Sequence, residues 1–230
     1  MTARRFYKTV SVTDELGIAL DDRPVKTPMK VALRLPTLPL AEAVAAEWAA
    51  QGEKLDPASM ILTKLANTAI DRVAANREAI EAEVLDYANS DLVCYRADRP
   101  PDLVQRHTRQ WDPVVDWART ALDAPFAVTM GVMHRPQAEA ALSALAPALQ
   151  ELSDFELAAF HTLMTLTGSA LIALMLARRA ISPEEAWITA HVDEDYQIEH
   201  WGEDAEAEAR RAARLKEFMA ACRFLGLARL

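Results

Sequence analysis

Proline placement constrains this chain more than any other feature. Five of its 12 prolines, Pro24, Pro28, Pro36, Pro39 and Pro57, fall in the first quarter, and only Pro136, Pro147 and Pro183 follow Val128. Proline lacks a backbone N–H and breaks helix interiors, so the first quarter is expected to hold strands and turns, and the rest is free to be helical. Arg5 to Val12 sets Phe6, Val10 and Val12 among polar residues, a strand pattern, and Leu16 to Leu20 and Val31 to Leu35 read the same way. Asp21-Asp22-Arg23-Pro24 reads as a turn whose aspartates cap their own backbone. Leu40 to Gln51 is alanine-rich with Gly52 just past its end, which predicts the first helix.

Beyond that point the pattern is helical. Leu62, Leu65, Ala66, Ala69, Ile70 and Val73 recur close to every 3.6 residues, and Arg77 to Ala88 and Pro101 to Leu122 continue the period. Asp91 to Arg96 reads as a short extended piece, and Phe126 to Met133 fits either a strand or a loop. Ser153-Asp154-Phe155-Glu156 and Ser182-Pro183-Glu184-Glu185 are capping boxes, which fix two helix starts. Leu157 to Ala177 has no formal charge and is long enough to cross a bilayer. Its histidine and threonines, the break at Gly168-Ser169 and the absence of an aromatic belt favour a buried core hairpin or kinked helix. The composition is therefore that of an α+β chain, and the length suits one or two domains.

The net charge of −9 is unevenly spread. Ten acids and no Lys or Arg lie between Ala180 and Ala209, so that stretch alone carries −10 and the remainder is nearly neutral. Binding nucleic acid through a broad basic surface is excluded on this count. Cys94 and Cys222 are far apart and have no CxxC partner, which argues against a disulfide framework or a cysteine-rich zinc site. Free thiols fit a reducing compartment. Met1 to Lys8 is basic but lacks an apolar stretch behind it, so no secretory signal is expected. These points suggest a cytoplasmic bacterial protein, or one of the mitochondrial matrix if the chain is a mature eukaryotic one.

Motifs for chemistry are scarce. With six glycines and no GxGxxG, GxxxxGK, GxSxG or HExxH, the common nucleotide loops, the nucleophile elbow and the zincin site are absent. No cofactor is expected. His191 and Glu194 share a helix face, with Glu199 and His200 nearby, so a metal- or substrate-binding helical enzyme using these four is the alternative reading. The simpler reading is a solvated acidic helix. Asp193-Glu194-Asp195 point in directions about 100° apart on a helix and suit charge presentation better than acid–base catalysis. Trp187, His191, Glu194, Ile198 and Trp201 fall on one stripe, which fits either core packing or a protein-binding face. Arg210, Arg211, Arg214 and Lys216 follow on what reads as the same helix, with Glu206–Arg210 and Glu208–Arg211 as neighbours.

Taken in order, several pieces resemble one family. They are Arg5-Phe6-Tyr7-Lys8, Leu20 to Pro28 (LDDRPVKTP), Leu35-Pro36-Thr37, Glu47-Trp48, Thr63 to Val73 (TKLANTAIDRV), Asp91 to Arg96 (DLVCYR), and Trp111-Asp112-Pro113 with Trp117. Asp193 to Gln197 (DEDYQ) and Glu199-His200-Trp201-Gly202 complete the set. The pattern is similar to that of the assembly chaperones for the alpha subunit of the F-type ATP synthase. Asp22 stands where that family usually has glycine, which implies another turn type, and Ile61 stands where proline is common. The resemblance implies a small N-terminal β-rich domain with one helix, residues 1–60, and a larger all-helical domain, residues 61–230. It implies no enzymatic activity, no membrane insertion, a monomer, and capture of the free alpha subunit until the beta subunit replaces it. By the same resemblance Glu194, Asp195, Glu199 and Glu203 are expected to meet basic groups on alpha, with Trp201 as contact or support. Trp48 and Trp111 are expected to be packing residues.

Overall fold

The computed structural model describes residues 4–131 and 133–229. Residues 1–3 of the segment read above for targeting, Val132 of the open 126–133 stretch, and Leu230 lie outside the described residues. The fold is α+β, with a small antiparallel sheet first and helices after it. The chain divides into two compact units. One comprises Met1–Arg77, Ser153–Ala159 and Met219–Leu230, and the other Glu78–Leu152 and Phe160–Phe218.

In the first unit β1 (Val10–Val12), β2 (Ile18–Leu20) and β3 (Arg23–Pro24) form a meander with Val10 opposite Leu20 and Leu20 opposite Arg23. The turn between β2 and β3 has φ of +46° at Asp21 and +65° at Asp22. Two left-handed residues make the tight hairpin turn usually built from Asn-Gly, and here aspartate takes the place that glycine usually fills in it. Nor does Asp21 cap its own turn. Its Oδ1 accepts hydrogen bonds from the N–H groups of Thr9 (2.9 Å) and Lys8 (3.0 Å) and from the Thr9 hydroxyl. Those donors, Thr9 first, hold its carboxyl below the usual range.

The flanking segments differ from expectation in detail. Tyr7 is buried and Phe6 is 73 % exposed, the reverse of the parity read from the sequence. A one-residue slip flips a strand's faces, and here Tyr7 gains a bond from its hydroxyl to the Trp48 carbonyl (2.7 Å). Val31 to Leu35 forms only isolated bridges, through Ala32 and Arg34, although Leu33 and Leu35 do point into the core.

Helix α1 (Leu38–Ala49) starts at Thr37, whose Oγ1 accepts from the Leu40 N–H, and buries Leu40, Ala41 and Val44. A short 3₁₀ turn (Pro57–Ser59) leads into α2 (Ile61–Thr68). No side chain at the position before α2 caps it; Glu47 does so from α1. Its carboxylate accepts from the N–H groups of Leu62 and Thr63 and from the Thr63 hydroxyl, each at 2.8 Å. The periodic run to Val73 then passes through a π-helical turn (Ala69–Val73) into α3 (Ala74–Ala88), with a non-helical Asn76. In the same unit the Thr37 hydroxyl donates to the Leu227 carbonyl, and Phe155 stacks on Phe224.

The second unit is built on α4 (Pro101–Ala121), α5 (Glu139–Ser143), α6 (Ala146–Gln150), most of α7 (Asp154–Thr167), α8 (Ala170–Ala177), α9 (Pro183–Ala190), α10 (Val192–Trp201) and the start of α11 (Ala205–Leu227). It also contains a two-residue parallel pair, β4 (Tyr95–Arg96) with β5 (Thr129–Met130), which resolves part of the open 126–133 stretch as strand. The charge-free run is two helices. Gly168 at φ +72° ends α7, the Ser169 hydroxyl accepts from the Ile172 N–H to start α8, and every residue of α8 is buried. Among the described residues no helix is long and apolar enough to cross a membrane. Both capping boxes form, at Ser153–Glu156 and Ser182–Glu185.

Candidate functional site

The acidic stretch occupies α9, α10 and the start of α11, and α4 packs beside α10. On α4, Trp111 is fully buried and its indole N–H donates to the Thr189 carbonyl at 2.7 Å, as expected of a packing residue. His107 stacks on Trp111 at 3.8 Å. Its Nδ1 accepts from the Ala97 N–H, which leaves the proton on Nε2 to donate to Asp193 Oδ1 at 2.7 Å.

The stripe read as one helix is interrupted twice. His191, at φ −112°, separates α9 from α10, and its Nδ1 donates back to the Trp187 carbonyl at 2.8 Å. Trp187 lies against His191 and Phe218 and is buried, whereas Trp201 is 76 % exposed. Core packing therefore holds for one tryptophan and not for the other. Gly202, at φ +83°, then ends α10, and the Asp204 carboxylate starts α11 by accepting from the N–H groups of Glu206 and Ala207. Those bonds lower the Asp204 pKa. Acids and arginines thus sit on two helices, and two of the arginines pair between them instead of along one. Arg214 meets both oxygens of Glu194, at 2.6 and 2.7 Å, and Arg211 pairs with Asp195. Arg210 pairs with Glu206 at 2.6 Å as expected, but Arg211 has turned to Asp195 and not to Glu208.

Glu199 is held from α4. Arg106 meets its two oxygens at 2.9 and 2.5 Å and lies over the Tyr196 ring at 5.2 Å. The guanidinium holds the Glu199 carboxyl below its usual range. The Tyr196 hydroxyl donates to Asp102 at 3.2 Å, and His200 stacks on the Tyr196 ring at 4.0 Å.

Three of the five expected contact residues therefore already have a cationic partner within the chain. Glu203 and Trp201 face solvent, and Glu203 makes no ion pair among the described residues. The five are also split. Glu194, Trp201 and Glu203 line one cleft of about 270 Å3 together with Ile198 and Arg211. Asp195 and Glu199 line another, of about 250 Å3, shared with Arg106 and Arg109. The first sets three acids and one arginine beside an exposed aromatic face; the second holds two acids and two arginines. Arg211 reaches Asp195 through Nη2, and its Nη1 is buried without a hydrogen bond among the described residues.

The alternative metal set does not converge. His191 Nε2 is 4.0 Å from Glu194, Glu199 is engaged by Arg106, and His200 donates to the Tyr196 carbonyl and lies 3.7 Å from Asp102. Among the described residues no three His, Cys, Asp or Glu side chains group as a metal site. Burial lowers the His191 pKa, which favours a neutral packing imidazole there.

Sequence reading found the acids and named Arg211 and Arg214 without their cross-helix partners, and it missed Arg106. Arg106 is 93 positions from Glu199, and no pattern links them. Gly202 followed by Asp204, a helix stop and a helix start, was the available signal for two helices instead of one.

Known proteins align with this arrangement over most of its length. Residues 4–119 match the family model described as ATP12 chaperone protein. The crystal structure of Atp12 from Paracoccus denitrificans superposes with a TM-score of 0.91 at 43 % identity, covering 99 % of both chains. The Atu1473 protein from Agrobacterium tumefaciens superposes with a TM-score of 0.92 at 45 % identity, covering 98 % of this chain and 86 % of that one. Protein atp12, mitochondrial, from Schizosaccharomyces pombe is 22 % identical over an alignment of 223 positions that covers 88 % of this chain and 75 % of the yeast protein.

Proposed function

Since the chain belongs to the ATP12 chaperone protein family, we propose that it is a non-enzymatic assembly chaperone that binds the free alpha subunit of the F-type ATP synthase. In this reading it masks the aggregation-prone face of alpha until the beta subunit replaces it. An unassembled subunit exposes a surface its neighbour normally covers, and such patches aggregate. Masking that face requires a docking surface of moderate affinity and no bond-making chemistry. The compartment proposed is the bacterial cytoplasm or the mitochondrial matrix, and the resting state is a monomer.

One observation carries the assignment of the surface: Trp201 is 76 % exposed at the end of α10, in a cleft with Glu194 and with Glu203, which has no ion pair among the described residues. An aromatic anchor beside uncompensated acid suits a basic, partly apolar partner face. Glu203 and Trp201 are assigned direct contact with alpha. Glu194, Asp195 and Glu199 hold the arginines that shape the two clefts, and a basic group on alpha exchanges with those arginines on docking. Co-expression tests the reading: alpha is expected in the soluble fraction and on the same affinity column as this chain. Alpha that remains insoluble and unbound contradicts it.

A further inference from the structure

The first unit contains a cleft that the capture surface does not use. It has a volume of about 520 Å3 and is lined by Pro28, Trp48, Leu55, Pro57, Met60 and Asn67, among others. That size falls within the roughly 300–1,000 Å3 typical of ligand sites. One edge of the cleft is braced. Asp71, on the π-helical turn, accepts from the Thr27 hydroxyl at 2.6 Å and from the Met29 N–H at 3.0 Å, which fixes the Thr27–Met29 loop at its mouth. Met29, next to Pro28, is 71 % exposed and extends the apolar surface outward.

Two polar atoms in this wall are unsatisfied. Trp48 Nε1 and Asn67 Oδ1 are both shielded from solvent and have no hydrogen-bond partner among the described residues. An unpaired buried donor or acceptor costs about 1–3 kcal/mol, and few persist without a reason. One is a donor and the other an acceptor. A hydrocarbon ligand leaves both unpaired, and a fully ionised phosphate monoester, which offers acceptors only, leaves Asn67 Oδ1 unpaired. A main-chain segment presents a carbonyl and an N–H within one residue and satisfies both. The flexible Met60 side chain allows the wall to open around such a segment.

We propose that this cleft binds an extended apolar polypeptide segment of a client chain. A main-chain carbonyl of the segment accepts from Trp48 Nε1, a main-chain N–H donates to Asn67 Oδ1, and an apolar side chain lies among Leu55, Pro57 and Met60. This goes beyond the capture surface on α10 and α11 and does not depend on which subunit that surface holds.

The test titrates the full chain with a blocked pentapeptide of alanine, leucine and valine, and with the same peptide N-methylated at its central residue. The indole N–H resonance of Trp48, identified by its loss in Trp48→Phe, is expected to move on addition of the first peptide and to stay in place with the second. Trp48→Phe and Asn67→Leu should each weaken binding about tenfold, the equivalent of ~1.4 kcal/mol. Their unliganded melting temperatures should be unchanged or higher, because each removes an unpaired buried group. An indole resonance unmoved by the peptide, equal binding of both peptides, or a resonance that shifts with protein concentration alone (a second copy as occupant) overturns the proposal.

Discussion

Glu47 illustrates how much local structure one side chain can hold. It leaves α1 to cap α2, taking two backbone donors and the Thr63 hydroxyl that nothing at the preceding position satisfies. Glu47→Ala is expected to destabilise the protein by about 1–2 kcal/mol, the range of a lost helix cap, in urea unfolding. Asp91 provides a pH signature. It is fully buried and accepts from the N–H groups of Val93 (3.2 Å) and Leu171 (3.1 Å), and burial pushes its carboxyl up to about 6. A folded pKa above the ordinary value means the fold favours the protonated form. The associated stability is fully present below about pH 4 and is lost as pH rises through about 6. Asp91→Asn cannot ionise, so its melting deficit relative to wild type should shrink between pH 4 and pH 7. A deficit that grows over that range contradicts the assignment. The distant partners were not legible in the sequence, because Glu47 reaches 15 and 16 positions ahead and Asp91 reaches 80 to Leu171; the DLVCYR motif marked Asp91 without giving its role.

Among the elements, the helices were legible wherever local chemistry sets their ends. Both capping boxes and the Gly168-Ser169 break formed as read, since those signals are complete within four residues. The strands were legible only as segments. Parity at Phe6 and Tyr7 depends on the hydroxyl bond to the Trp48 carbonyl, which lies 41 positions away. The merged reading of α10 and α11 failed because charge complementarity along one helix and pairing between two helices use the same residue types. Gly202 separates the two readings. Its φ of +83° with ψ near 174° is a conformation open almost solely to glycine, so Gly202→Ala should cost about 1–3 kcal/mol in chemical denaturation. The pairing it permits is weaker. Glu194 and Arg214 are about a third and two-fifths exposed, and a double-mutant cycle should return a coupling of no more than about 1 kcal/mol that falls with added salt.

For the whole molecule, the net charge of −9 is less informative than its placement and its internal pairing. The −10 stretch suggested an acidic face. Arg106, Arg211 and Arg214 answer much of it, and Glu203, in the cleft with the exposed Trp201, makes no ion pair among the described residues. Fold class and family were readable from ordered motifs, because those motifs are local. The division of the site into two clefts was not, because it arises from tertiary pairing. Reversing Glu203 leaves every ion pair described above in place, so it probes the partner and not the fold. The most direct measurement is therefore the affinity of purified Glu203→Lys and wild-type protein for free alpha subunit in low and moderate salt, with melting temperature as the control. The account predicts binding at least about tenfold weaker for the variant, a smaller salt dependence, and an unchanged melting temperature. Equal affinity and equal salt dependence would contradict it.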